Sequence, residues 1–96
     1  MRKIFITAAA ARACITRAEE KEIRHLIETV AKADNPTHIP LADVKACSGH
    51  LTGCYRIKPS IARLKATDIS VRVVYRVTED RIEIVAADNR RSVYQW

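Results

Sequence analysis

Ninety-six residues suffice for one hydrophobic core and not for two, so a single domain spanning 1–96 is expected. A hydrophobic content of 48% with 29% charged residues excludes a disordered chain, and Lys+Arg 17 against Asp+Glu 11 gives a net charge of +6, which favours an anionic partner without choosing one. No run of about 18 apolar residues is present, which excludes a transmembrane helix. The N-terminal cations precede apolar residues, but Arg12 interrupts the alanine run and Arg17–Glu22 follows it. No signal-peptide core is read there, and a cytoplasmic protein is expected.

In chain order, Arg2 to Ile6 predicts a short first strand. Thr7 is placed to cap an alanine-rich helical turn over 8–14. Thr16 and Glu19 have the spacing of a capping box. Behind them Ile23, Leu26, Ile27, Val30 and Ala31 recur at i, i+3, i+4, i+7 and i+8, the apolar stripe of an amphipathic helix. Glu20 and Arg24 make an i,i+4 pair on its solvent side, and Asp34-Asn35-Pro36 stops it. Residues 8–33 therefore read as a helical hairpin. Residues 34–53, with their prolines and glycines, read as irregular. A cationic strand follows over 54–58, then a long connection over 59–70 and a strand over 71–77. The compact loop Thr78-Glu79-Asp80-Arg81 leads to a last strand over 82–87, with Ile82, Ile84 and Ala86 on one face.

The order β-α-α-β-β-β predicts a small α+β domain, an antiparallel sheet with the helical hairpin packed on one face. Side chains alternate across a strand, so Cys54-Tyr55-Arg56-Ile57-Lys58 and Val71-Arg72-Val73-Val74-Tyr75-Arg76-Val77 each divide into an apolar and a cationic face. The covered face takes Tyr55, Ile57, Val71, Val73, Tyr75, Val77 and the isoleucines. The open face takes Arg56, Lys58, Arg72 and Arg76, with Glu83 nearly alone against them. Such a face either keeps the protein soluble or binds a polyanion. The scarcity of opposing carboxylates favours the second reading.

The three cysteines are odd in number and lack a framework spacing, which fits reduced thiols. Cys47, His50 and Cys54 lie close in sequence. Paired Cys-x-x-Cys motifs are absent, however, and a fourth zinc ligand would have to come from Cys14, His25 or His38. Half-buried thiols beside a turn is the preferred reading, with no metal or other cofactor. If the polyanion is RNA, cleavage without a metal needs a base for the 2′-hydroxyl, cations for the phosphorane oxygens and an acid for the leaving 5′-oxygen. No two histidines stand where they would supply acid and base. A site here would use a lysine or tyrosine among crowded arginines, whose charge makes an ammonium easier to deprotonate. Tyr94 could also stack on a base.

The blocks Leu51-Thr52-Gly53-Cys54-Tyr55-Arg56-Ile57-Lys58, Val71-Arg72-Val73-Val74-Tyr75-Arg76-Val77 and Arg90-Arg91-Ser92-Val93-Tyr94 resemble, in order and spacing, the RelE/ParE superfamily of bacterial toxins from type II toxin–antitoxin modules. The resemblance covers most of residues 51–94. It implies a RelE-like domain and, for the RelE branch, a ribosome-dependent endoribonuclease (mRNA interferase) that cleaves mRNA in the ribosomal A site. A cognate antitoxin would be its protein partner. It implies a catalytic set of Arg56 and Lys58 as paired cations, with Lys58 assisting as base. Arg72 would stabilise the phosphate, Arg90 (or Arg91, with a one-residue shift) the developing charge or the leaving group, and Tyr94 would position the nucleotide. Arg63, Lys65, Arg76 and Arg91 would add charge for RNA binding. Three departures from the family pattern are read: the long 59–70 link, Asp88-Asn89 in place of a glycine-containing turn, and a family helix after Tyr94 that is not expected here, which leaves the antitoxin's docking geometry open. The ParE branch, which inhibits DNA gyrase by protein contact, is the alternative reading. A basic RNA-binding module without catalysis is a third.

Overall fold

The computed structural model describes residues 2–7, 16–40 and 42–89. In chain order they form β1 (Lys3–Ile6), α1 (Arg17–Lys32), β2 (Asp43–Ala46), a 3-10 turn (Gly49–Leu51), β3 (Tyr55–Lys58), α2 (Ile61–Thr67), β4 (Val71–Val77) and β5 (Arg81–Asn89). The strands make one five-stranded sheet in the order β1-β5-β4-β3-β2.

α1 begins at the expected capping box. Glu19 N donates to Thr16 Oγ1 at 3.2 Å and Thr16 N to Glu19 Oε1 at 3.0 Å, so two N-terminal donors are satisfied. At the other end Arg2 serves the orphan carbonyls. Its backbone N donates to Ala31 O at 3.1 Å and its Nη1 to Ala33 O at 2.6 Å. The apolar stripe of α1 is buried as its spacing predicts. Ile23, Leu26, Ile27 and Val30 pack on Ile57, Val71, Val73, Tyr75, Ile82, Ile84 and Ala87 of the sheet. Burial of each such aliphatic side chain contributes about 1.5–3 kcal/mol. Tyr75 is fully buried and its hydroxyl donates to Pro36 O, which pins the segment after α1 to the sheet.

Several expectations need correction. The sheet is mixed, because β1 runs parallel to β5, with Ile4 beside Ile82 and Ile6 beside Ile84. A four-residue pattern carries no strand direction, and the chain between β1 and β5 is long enough for the crossover that a parallel pair requires. The segment read as irregular contains β2, which pairs antiparallel with β3 at the other edge. It escaped notice because Val44 is its one large aliphatic residue, and short, lysine-bearing strands suit an edge. The long connection contains α2, capped by Ser60 Oγ accepting from Arg63 N at 3.2 Å and ended by Asp68 at φ 56°. Of the expected helical hairpin, α1 is seen, and residues 8–15 lie outside the described residues.

The last correction concerns β5. Val74 pairs with Ala86 but Tyr75 with Ile84, so Val85 is an extra residue, a β-bulge. The bulge lets Ile82, Ile84 and Ala87 share the core face. Ala86, expected on that face, lies instead on the opposite one. Asp88 and Asn89, expected in a turn, end the strand opposite Arg72 and Val71.

Candidate anion-binding face

The face of the sheet turned away from α1 is organised in rows that cross the strands. One row runs Asp43 (β2), Lys58 (β3), Arg72 (β4) and Asp88 (β5). Asp43 is the register partner of Lys58, Arg72 is that of Asp88, and the next step of the β3–β4 register sets Lys58 across from Arg72. The second row is Lys45, Arg56, Val74 and Ala86. The third continues that register through Cys47 and Cys54 to Arg76, Glu83 and Phe5, with Arg81 and Lys3 beyond it. Four predicted site residues, Arg56, Lys58, Arg72 and Arg76, are thus brought to one face. Arg56 and Arg72 are diagonal neighbours across β3 and β4, a relation that typically spaces side chains by about 7–8 Å.

The face is less bare than the sequence suggested. Arg72 Nη2 contacts Asp88 Oδ2 at 3.2 Å, and the two side chains are 14% and 7% exposed. Arg56 Nη2 lies 3.9 Å from Asp43 Oδ1, and Arg81 Nε 3.7 Å from Glu83 Oε1. Val74, in the centre of the face, is 1% exposed. Glu83 is therefore not nearly alone. Among the described residues, seven cations meet three carboxylates here, so positive charge remains after pairing.

Burial pushes the Asp88 carboxyl above its ordinary range, and the hydrogen bond and charge of Arg72 draw it part of the way back. Asp88 Oδ1 is buried with no hydrogen-bond partner among the described residues. Burial and the neighbouring Cys54 push the Cys47 thiol up, while Arg56 and Arg72 act in the other sense. Burial also drives the Tyr75 phenol far up, so Tyr75 serves as a hydrogen-bond donor inside the core and not as an acid.

Two expected RNA-binding residues sit elsewhere. Arg63 and Lys65 are on α2, and Arg63 grips the buried Glu22 of α1 with two bonds, Nη2 to Oε2 at 2.9 Å and Nε to Oε1. Its charge is spent on holding α2 to α1. Arg90, Arg91 and Tyr94 lie outside the described residues. β5 ends at Asn89, one residue beyond the Arg72–Asp88 pair. Asp43 and Asp88 were missed as members of the face. β2 was not recognised, and only the bulge at Val85 turns Asp88 toward Arg72. No linear pattern signals that bulge. Among the described residues no group of three or more His, Cys, Asp or Glu side chains is placed to hold a metal ion, and no helix is long and apolar enough to cross a membrane.

No protein-family model matches the chain, and no curated protein matches it. A solved structure of a copper-bound mutant toxin from Helicobacter pylori is similar in fold. It has a TM-score of 0.55 at 14% identity, over 97% of this chain and 99% of that one. The two chains share a fold along nearly their whole lengths.

Proposed function

We propose that this protein is the toxin of a toxin–antitoxin pair and acts as an endoribonuclease on translated mRNA. The observation that carries this reading is the row of Lys58 and Arg72, with Arg56 two residues before Lys58 on β3 and diagonal to Arg72, on a face that keeps an excess of positive charge. Its fold likeness to a bacterial toxin supports the toxin part. In this reading the phosphate of the scissile bond seats between Arg56 and Arg72, whose guanidiniums stabilise the dianionic phosphorane. Lys58 assists removal of the 2′-hydroxyl proton. Arg90 and Tyr94, which follow β5, complete the set as leaving-group and base-positioning residues. No metal is used. A small antitoxin would neutralise the protein by covering the same face.

The test is induction of the protein alone, with primer extension on a translated message in the presence of ribosomes. Cuts within codons are expected, together with growth arrest. Arg56→Ala and Tyr94→Ala are each expected to reduce cutting by about a hundredfold, the scale of losing one charge-stabilising or substrate-positioning group. Full toxicity in both variants would overturn the site.

One observation favours a second reading. Arg72 already holds a carboxylate, so a phosphate there has to share the guanidinium with Asp88. A protein-contact inhibitor of DNA gyrase has no such requirement. Purified gyrase separates the two, since a ribonuclease leaves supercoiling unchanged.

A further inference from the structure

Two thiols on the cation-bearing face have no part in the proposed cleavage. Cys47 and Cys54 flank the 3-10 turn that joins β2 to β3. Cys47 N donates to Cys54 O at 3.0 Å, which continues the β2–β3 ladder by one further pair beyond Ala46–Tyr55. The bond is one-way, since Cys54 N donates to Leu51 O, and residues opposed on an antiparallel ladder lie about 4.5–5.5 Å apart at Cα. Disulfides usually span about 4.4–6.8 Å at Cα and about 3.5–4.5 Å at Cβ, so closure asks the two Cβ atoms only for a small approach from the roughly 4.5–5.5 Å of opposed strand residues. Both side chains lie on the same face: Arg76 Nη2 is 3.9 Å from Cys54 Sγ, and Cys47 faces Cys54, Arg56 and Arg72. Both thiols are unbridged, and their access differs. Cys47 is half-buried, whereas Cys54 is 2% exposed.

We propose that Cys47 and Cys54 are a site of reversible oxidation, closed to an intrachain disulfide by exchange with a low-molecular-weight aliphatic disulfide such as oxidised glutathione. Cys47, the accessible thiol, attacks as thiolate. The small disulfide's S–S bond breaks, one small thiolate leaves, and a mixed disulfide forms on Cys47. Cys54, deprotonated in turn, attacks Cys47 Sγ and expels the second small thiolate. Two protein thiols lose two electrons and their two protons, and the small disulfide is reduced to two thiols. The first step needs the Cys47 thiolate; burial holds that thiol up, and the nearby Arg56 and Arg72 offset part of the burial. The product braces the hairpin that carries Arg56 and Lys58. The proposal holds whatever that face binds.

The test treats the purified full chain with oxidised glutathione, then maps peptides by mass spectrometry. The expected product is a 47–54 link, lost on reduction and retained in Cys14→Ser. Short loop closure would favour the same link in an unfolded chain, so the readout tied to the fold is an asymmetry between single variants. In Cys54→Ser the glutathione adduct accumulates on Cys47. In Cys47→Ser the buried Cys54 reacts at least about tenfold more slowly, because it must wait for local opening. A link to Cys14 in place of 47–54, no link in the wild type, or equal reactivity of the two variants would each overturn the proposal.

Discussion

Arg72 meets two competing demands. Its guanidinium is held by Asp88 in a nearly closed setting, yet the proposed chemistry asks it to hold a phosphate. Removing one member of a buried ion pair leaves the other charge uncompensated. Arg72→Met, which leaves the buried Asp88 carboxylate without its compensating charge, is therefore expected to lower stability by about 3 kcal/mol in urea denaturation. The double replacement Arg72→Met with Asp88→Leu should recover most of that loss. The raised Asp88 carboxyl has a definite sign in pH dependence. The folded chain takes up this proton at a higher pH than the unfolded chain, whose value is the ordinary 3.8. The contribution of this group to stability thus rises as pH falls through the folded value, and levels off below 3.8. Relative to Asp88→Asn, the wild type should gain stability on acidification across that window. An unchanged difference between the two would mean that Asp88 is not held as described.

At the scale of elements, the β2–β3 hairpin depends on two left-handed glycines, Gly49 at φ 67° and Gly53 at φ 94°. An added Cβ at Gly53 would meet nothing within 4 Å, so the cost of a side chain there is one of backbone conformation alone. Gly53→Ala is expected to destabilise the protein by about 1–3 kcal/mol. Amide exchange should quicken first over residues 43–58. α2 is governed differently. It has seven residues, too few to stand alone, and is held by its Ser60 cap and by the Arg63 grip on Glu22. Arg63→Ala should release α2, seen as lost exchange protection over 61–67 while the middle of α1 stays protected. The bulge at Val85 is the third device. It brings Ala87 into the core and Asp88 to Arg72 in one step.

For the whole molecule the relevant quantity is the charge left on one face after pairing. Lys45 is exposed on the edge strand in the row of Arg56, outside every ion pair seen among the described residues. If the face binds a single-stranded nucleic acid, Lys45→Glu should weaken binding and flatten the salt dependence by about 0.7 in log–log slope per lost phosphate contact. Its stability should stay within about 0.5 kcal/mol of wild type. A loss of binding with an unchanged salt slope would point away from phosphate contacts at this edge.

The local features were legible in the sequence because local rules govern them. The Thr16 capping box, the buried stripe from Ile23 to Ala31, the extent of β4 and the turn at Thr78–Arg81 all stand where spacing and capping put them. So does the sharing of one face by Arg56, Lys58, Arg72 and Arg76, which follows from strict alternation along short strands. What depended on distant partners was not legible: the parallel entry of β1 beside β5, the edge strand β2, and the carboxylates that face the arginines. Alternation assigns a residue to one of two faces. A bulge reverses that assignment for every residue after it, and only the packing of Ala87 against the core decides that it forms. The sequence alone thus determined that the cations share a sheet face, and the tertiary structure decided which of them are held by an acid.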